Sequence, residues 1–239
     1  MLLEARDIIK AFGSFRAVDS ASVTLDQGDI LGLIGPNGAG KSTFFNCLTG
    51  DLGLTSGKVL FEGHDITTLP PEARARLGLA RTFQVPLTFE GMTVLENVMI
   101  GAFLRASHRA EAEAKARAVL ERVGMIRLAD TPARSLGTPG RKRLEIARAL
   151  ATGPRLLLLD EVLAGLTATE VAEALDIIRT VHRRRNLTLV VIEHVMRALT
   201  QLCQRIVVLH HGEKIAEGSP AEIVADQRVI ACYLGTRQT

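Results

Sequence analysis

Nine consecutive residues have the composition of a loop that binds phosphate, and they match the pattern G-x-x-x-x-G-K-[ST]. They are Gly35, Pro36, Asn37, Gly38, Ala39, Gly40, Lys41, Ser42 and Thr43. In such a loop the backbone N–H groups surround an anion, the following helix contributes the positive end of its dipole, and the lysine contributes a full charge. The hydroxyl of Ser42 is suited to bind Mg²⁺ beside the phosphates.

The residues on either side of this loop provide the context that the pattern requires. The apolar run 30–34 predicts a buried strand that enters the loop, and residues 42–48 predict a helix that leaves it. A glycine-rich turn with an incidental lysine is the alternative, and it does not explain why a strand and a helix flank the loop.

Two carboxylates form a second candidate for chemistry. Asp160 and Glu161 follow the apolar run 155–159, which is preceded by Pro154 and is too short for a membrane span. The run predicts a buried parallel strand, and ligands bind at the carboxyl ends of such strands. Asp160 suits a metal held through water, and Glu161 suits a base that polarises an attacking water. A solvated acidic turn is the alternative.

Three further side chains are candidates with open alternatives. Gln84 ends a short strand and either reaches a metal-bound phosphate or caps a turn. His194 ends another apolar strand, whose end we expect beside those of Ile34 and Leu159, although an isolated histidine is more often structural. Phe12 precedes a glycine in a turn and either stacks on a purine or belongs to the core.

Composition narrows the class of protein. The 239 residues carry a net charge of +3 and a pI near 9.0, but Lys and Arg are scattered along the chain. Trp is absent and Tyr occurs once, so no nucleic-acid partner is expected. No apolar stretch approaches the roughly 18 residues of a membrane span. Because charged residues occur early, we expect no secretory signal, and the three distant cysteines predict a reducing cytoplasm.

The remaining segments predict a single α/β domain. Strands are expected in an antiparallel sheet within 2–29, in a hairpin around 57–63 and in a closing hairpin over 205–218. Helices are expected from Pro70 and over 94–104, 107–123, 141–151 and 170–184, with a loop over 131–140 and a short helix and polar tail after Pro220. We expect a core with a β subdomain at about 1–92 and 153–239, and a helical subdomain at about 93–152.

Together these residues resemble the ATP-binding subunit of ABC transporters across essentially the whole chain. The phosphate loop, Gln84, the loop before Arg141, the acidic pair and His194 occur in the family's order and spacing. The stretches most similar to the branched-chain amino acid importer branch are 31–37, 78–84, 92–98, 143–148 and 164–166. Urea, amide and lipopolysaccharide-export relatives stay open.

The resemblance implies a phosphate-loop (RecA-like) ABC ATPase core with an N-terminal antiparallel β subdomain and a helical subdomain, using ATP and Mg²⁺. It implies these roles: Phe12 stacks on adenine, Lys41 and Ser42 bind phosphate and Mg²⁺, Gln84 contacts the metal and links nucleotide to permease, Asp160 binds the metal, Glu161 is the base and His194 is the switch residue. Two such subunits sandwich ATP at the cytoplasmic membrane face and drive transmembrane permeases, to which a solute-binding protein delivers the solute.

The signature sequence of the family, Leu-Ser-x-Gly-Gln, is altered in this chain. Without gaps it falls on Leu136, Gly137, Thr138, Pro139 and Gly140, so Gly137 replaces the serine and Pro139 replaces a glycine. A slipped register would recover Ser135 and Gly137, but it needs two extra residues before the helix. Because the ungapped register loses two phosphate donors, we expect a second, different ATP-binding subunit as the partner, although a homodimer stays open.

Two more departures concern communication across the dimer. Val162 replaces a usual proline, and Thr167 stands where Asn or Asp is common. The leading hypothesis is the ATPase subunit of an importer for branched-chain amino acids or related small polar solutes. The alternatives are a soluble phosphate-loop ATPase of DNA repair or translation, and a regulatory ATP-binding protein with weak hydrolysis.

Overall fold

The computed structural model describes residues 1–234, and these form two compact units. The second unit is Ala75–Leu187, and the first consists of the described residues on either side of it. Antiparallel and parallel strands occur together with helices, which confirms the predicted α/β class. The subdomain bounds that the sequence suggests, 93–152 for the helical part, stay a prediction.

The strands are β1 Leu3–Phe12, β2 Phe15–Leu25, β3 Ile30–Ile34, β4 Ser56–Phe61, β5 His64–Asp65, β6 Leu79–Arg81, β7 Leu156–Asp160, β8 Thr188–Ile192, β9 Arg205–His210 and β10 Glu213–Gly218. The α-helices are α1 Lys41–Thr49, α2 Pro71–Leu77, α3 Val94–Ala102, α4 Arg109–Arg122, α5 Thr138–Ala151, α6 Ala168–Arg185, α7 Met196–Leu202, α8 Pro220–Ala225 and α9 Gln227–Leu234. Short 3₁₀ turns cover Phe103–Arg105, Ile126–Leu128 and Ala133–Ser135.

The first unit contains an antiparallel sheet in the order β2-β1-β4-β5. Leu3 pairs with Leu25 on one side and with Phe61 on the other, and all three side chains are buried. The strands curve at register shifts within β1, which ends at the exposed tip between Phe12 and Phe15. This sheet confirms the prediction for residues 2–29.

Four further strands of the first unit lie in the order β10-β9-β3-β8. β3 pairs in parallel with both β8 and β9, and every residue of β3 and β8 is buried. Strands covered on both faces read as continuous apolar runs, which explains the composition of 30–34. Because Leu33 pairs with Ile192, the segments that follow β3 and β8 begin side by side.

Helix α1 is held from its carboxyl end by a residue that the sequence did not single out. Arg74 is only 1% exposed, and its guanidinium donates to the carbonyls of Cys47 and Leu48 at 2.9 and 2.6 Å. It also donates to Leu69 and Thr67. A cation at this end satisfies carbonyls that the helix leaves unpaired and complements the negative end of its dipole. The phosphate loop therefore precedes a firmly placed helix.

In the second unit, β6 pairs in parallel with β7, α5 contacts β6, and α3, α4 and α5 pack against one another. Helices α3 and α5 cross closely at Gly101, where an added Cβ would lie 2.3 Å from the carbonyl oxygen of Arg148. Capping boxes at Thr93 and Thr167 begin α3 and α6. These contacts fix the helices that carry the charged residues of this unit.

Some predicted bounds were wrong. The predicted loop over 131–140 contains a 3₁₀ turn, and α5 begins at Thr138 rather than at Arg141. Proline fits the first turn of a helix, so Pro139 does not delay its start. The polar tail expected after α8 contains α9 over 227–234, while 235–239 lie outside the described residues. Helix α7 was also missed.

Candidate functional site

The loop between β3 and α1 is shaped by close backbone contacts at two glycines. An added Cβ on Gly35, whose φ is +152°, would lie 2.1 Å from the carbonyl oxygen of Leu209. One on Gly40, whose φ is +98°, would lie 2.2 Å from that of Ala17. Any side chain at either position would therefore displace backbone, which explains physically why the pattern needs glycine there.

The amino end of α1 has the properties of an anion site. Its N-cap is Gly40, which gives no side-chain hydrogen bond to the first turn, and the start of such a helix is a favourable position for an anion. The buried ammonium of Lys41 donates to the carbonyls of Gly35 and Pro36 at 2.7 and 2.9 Å, which keeps its charge inside the loop. Ser42 is exposed in the first turn.

The turn between β9 and β10 supports this loop. The Gly212 N–H donates to the Ala39 carbonyl at 3.1 Å, and the Gly212 carbonyl accepts from the Asp19 N–H at 2.8 Å. The loop is thereby tied to β2 and to the closing hairpin, which were predicted as separate elements. This support depends on tertiary contacts that no local pattern could indicate.

Phe12 and His194 are both at the surface of the first unit. Phe12 is 51% exposed, so its assignment to the core, which the sequence alone left open, is wrong. The Lys10 ammonium lies 5.0 Å from the ring centroid of Phe12. His194 is exposed two residues beyond β8, next to the buried Glu193. Its strand end lies beside that of Ile34, as predicted, whereas proximity to Leu159 stays a prediction.

In the second unit, Asp160 ends β7 and is buried. Its Oδ2 atom lies 3.3 Å from Nη2 of Arg81, and its N–H donates to the Thr82 hydroxyl at 3.0 Å. Arg81 also lies over the ring of Phe83, with its guanidinium carbon 4.5 Å from the centroid. The end of β6 therefore neutralises and orients the carboxylate at the end of β7.

Glu161 follows with an unusual backbone and a specific partner. Its φ of +50° is left-handed, which is uncommon for a residue other than glycine and occurs often at functional sites. The Gln84 side-chain amide donates to Oε2 of Glu161 at 2.8 Å. The structure thus brings these two predicted site residues together, and it places Gln84 on a carboxylate rather than on a turn.

Glu145 is a charged residue near this site that the sequence did not indicate. It is 5% exposed on α5, and its Oε1 atom accepts the Phe83 N–H at 2.8 Å. Burial raises the pKa of Glu145 to about 7, against the opposing effects of the Phe83 N–H and the cations of Arg148, Arg81 and Lys142. The sequence signal that could have indicated it is the recurrence of Lys142, Glu145 and Arg148 at spacings of three along this helix.

The altered signature residues form the start of α5. Gly137 is the N-cap, with φ of −68° and no side-chain hydrogen bond to the first turn, and Pro139 is within that turn. Ser135 belongs instead to the preceding 3₁₀ turn, where its hydroxyl donates to the Pro132 carbonyl at 2.7 Å. The helix start thus coincides with the ungapped register, and Pro139 removes one N–H from it.

The residues present fit Mg²⁺ bound together with nucleotide. Among residues 1–234, no group of three His, Cys, Asp or Glu is placed to hold a metal ion. Mg²⁺ commonly takes one or two protein oxygens and completes its shell with water and phosphate. The Ser42 hydroxyl and the Asp160 carboxylate are oxygen donors of that kind. Their chemistry therefore matches a metal that arrives with phosphates.

Comparison with known proteins gives consistent matches. The sequence profile of the ABC transporter family matches residues 18–164, and that of branched-chain amino acid ATP-binding cassette transporters matches 213–238. The high-affinity branched-chain amino acid transport ATP-binding protein LivG of Salmonella typhimurium is 38% identical, with 98% of both chains covered. The lipopolysaccharide export system ATP-binding protein LptB of Escherichia coli is 36% identical, covering 98% of this chain and 97% of the relative.

A solved structure agrees with these matches. The crystal structure of the ADP conformation of MJ1267, an ATP-binding cassette of an ABC transporter, has a TM-score of 0.88 at 32% identity, with 98% of both chains covered. The chain belongs to the ABC transporter family. It is an ATP-binding cassette of that family's ATPases, and the predicted resemblance to the branched-chain amino acid branch is confirmed.

Glu145 provides a prediction about pH. Because its pKa is higher in the folded chain than in the unfolded one, the folded chain holds more protons between about pH 4.5 and pH 7, and stability falls as the pH rises through that window. Glu145→Gln retains an oxygen for the Phe83 N–H and removes this linkage. We expect its Tm to exceed that of the parent at pH 8, with a difference that shrinks towards pH 5.

Thermal unfolding followed by circular dichroism from pH 5 to pH 8 measures this difference. Glu145→Ala serves as a comparison, because it also removes the acceptor of the Phe83 N–H and should lower Tm throughout the range. Parallel Tm profiles for parent and Glu145→Gln would contradict the prediction.

Proposed function

We propose that this chain binds Mg·ATP and hydrolyses it to drive an importer of branched-chain amino acids or related small polar solutes. The contact between Gln84 and Glu161, beside the buried Asp160, carries the hydrolytic part of the proposal. The transport part rests on the names of relatives such as LivG, which match over nearly the whole chain, and on the carboxyl-terminal profile.

Each side chain has a role that its surroundings support. The Lys41 ammonium and the uncapped start of α1 bind the outer phosphates, while Ser42 and Asp160 hold Mg²⁺, which neutralises phosphate charge when bound. Glu161 accepts a proton from the attacking water, and Gln84 orients that carboxylate. The exposed Phe12 stacks on adenine, and His194 acts as the switch residue.

A groove in the second unit is suited to the permease. ABC ATP-binding subunits work with transmembrane permeases. The groove has a volume of about 330 Å³, and its lining includes Phe83, Leu87, Ile100, Leu104 and Arg148. Phe83, Leu87 and Ile100 are exposed apolar side chains, and contiguous exposed apolar surface is typical of an interaction site. We infer that an apolar segment of a permease occupies it.

Residues 84–89 form a segment that borders this groove, and two side chains hold this segment in place. The buried amide of Asn97 accepts the Phe89 N–H and donates to the Phe89 carbonyl, at 2.9 and 3.0 Å. Arg148 donates to the Leu87 carbonyl and lies 4.7 Å from the Phe89 ring centroid. Since Gln84 begins the same segment, a permease bound here acts close to the residue that contacts Glu161.

Several parts of this proposal rest on the family alone. The chain works at the cytoplasmic face of the membrane as a peripheral subunit, and a solute-binding protein supplies the permease. No helix within residues 1–234 is both long and apolar enough to cross a membrane.

The start of α5 has lost a serine hydroxyl and a backbone N–H, so a different ATP-binding subunit is the favoured partner.

Replacement of Glu161 tests the hydrolytic role. Glu161→Gln should bind ATP as the parent does but lose hydrolysis by roughly a hundredfold or more, the usual contribution of a general base. Lys41→Ala is the matched control, because it should lose ATP binding instead. Binding of a labelled ATP analogue and release of phosphate are measured on both purified variants. Hydrolysis at the parent rate by Glu161→Gln would refute the role of Glu161.

A charge placed in the groove tests the docking surface. Leu87→Glu should reduce co-purification with the permease subunits roughly tenfold, because a buried charge would replace an apolar contact, while ATP hydrolysis by the isolated chain stays unchanged. Leu128→Glu, at an exposed leucine outside the groove, is the matched control. Equal recovery of Leu87→Glu and parent with the permeases would argue against this surface.

Restoring the signature tests the weak half of the dimer. We expect the isolated chain to hydrolyse ATP slowly, and Gly137→Ser with Pro139→Gly to accelerate it at least roughly tenfold, because lost donors to a transition-state anion are costly. The serine fits, since an added Cβ on Gly137 meets only Cδ of Pro139, at 3.8 Å. Ser135→Ala should leave the rate unchanged. A slower Ser135→Ala would favour the slipped register instead.

A further inference from the structure

A buried lysine on α5 contacts the backbone of Glu161. Lys142 lies in the second turn of the helix, and its ammonium donates to the Glu161 carbonyl at 2.9 Å and to the Ala164 carbonyl at 2.5 Å. Charge-assisted hydrogen bonds are stronger than those between neutral groups, and these two fix the carbonyls of Glu161 and Ala164 relative to the helix. Neither residue pattern nor family resemblance indicated this contact.

The backbone at Glu161 needs such support. Its left-handed conformation is unfavourable for a residue with a Cβ atom and persists only when its surroundings hold it. The Ala164 N–H also donates to the Glu161 carbonyl, but at 3.3 Å, which is long. The Lys142 ammonium is therefore a stronger donor to this carbonyl than the Ala164 N–H is.

The conformation of this turn determines where the carboxylate points. With Glu161 left-handed, its Oε2 atom meets the amide of Gln84 at 2.8 Å. If the turn relaxed, the carboxylate would rotate away from that amide. A misplacement of about 1 Å at a reacting group can lower a rate by roughly a hundredfold, even when the substituted residue never touches the substrate.

We propose that Lys142 is a positioning residue for ATP hydrolysis, acting by holding the main chain of Glu161 in the conformation that aims its carboxylate. This inference rests on the proposed role of Glu161 as the base. Lys142 binds neither nucleotide nor metal in this proposal. Its loss should therefore lower kcat and leave nucleotide affinity intact.

The test compares variants of the full-length chain. Lys142→Met keeps the length of the side chain and removes the donors, and we expect kcat for ATP to fall roughly tenfold to a hundredfold while Kd for ATP stays within about twofold. Lys142→Arg keeps a cation and donors and should recover part of the rate. Arg143→Met is the matched control, because Arg143 forms an ion pair with the exposed Glu173 and should change kcat less than about twofold.

A double substitution separates positioning from a general effect on folding. In a Glu161→Gln background, Lys142→Met should cause no further loss of rate, because the group that it aims is already gone. If Lys142→Met does not fold, Lys142→Gln, which keeps a neutral donor, takes its place under the same criteria.

Two results would overturn the proposal. One is a kcat within about twofold of the parent in a folded Lys142→Met or Lys142→Gln chain, and the other is a loss of the same size with and without Glu161. Either result, together with an inactive Glu161→Gln, overturns the positioning role alone. Parent activity in Glu161→Gln would instead refute the base, and the role of Lys142 with it.

Discussion

The uncapped start of α1 is the constraint on which the first unit depends. A helix end without side-chain partners is costly unless a ligand or water satisfies it, and here the N-cap is a glycine with no side chain to offer. The surrounding structure maintains this arrangement from several directions. The Gly212 turn holds the loop, and the Arg74 guanidinium satisfies the opposite end of the same helix. These contacts hold the loop before α1 in one shape, which suits the phosphate site that we propose for it.

The second unit contains buried charged side chains, and each of them has an ionic or hydrogen-bond partner inside the fold. Arg81 pairs with Asp160, Lys142 binds the carbonyl of Glu161, and Glu145 accepts from the segment that begins at Phe83. Buried charges are tolerated only when partners surround them, so each of these groups restricts where its neighbour can lie. The acidic residues at the end of β7 are consequently held by β6 on one side and α5 on the other. This arrangement suits groups that must keep one geometry through repeated cycles.

Much of this could be predicted because the governing forces are local. A few neighbouring residues are enough to predict the structure of the run 30–34, of the glycine pattern and of the apolar strand before Asp160. The parts that escaped prediction depend on partners distant in sequence. Arg74 and Lys142 read as ordinary surface cations until the fold supplies carbonyls for them. The start of α5 was misplaced because the whole stretch 131–140 was predicted as a loop, whereas a proline such as Pro139 is compatible with the first helical turn.

The position of Lys142 gives α5 a second consequence. The amino end of α5 carries the signature residues, which in this family face nucleotide held by the other subunit. In the second turn of the same helix, Lys142 donates a hydrogen bond to the backbone of this chain's own Glu161. When one helix contacts two sites, their free energies are coupled. A ligand that shifts α5 at one nucleotide changes the position of Glu161 at the other nucleotide, and the converse holds equally. In the heterodimer that we propose, the altered signature would weaken this coupling as well as its own site, and ATP hydrolysis at the two sites would be less tightly coordinated.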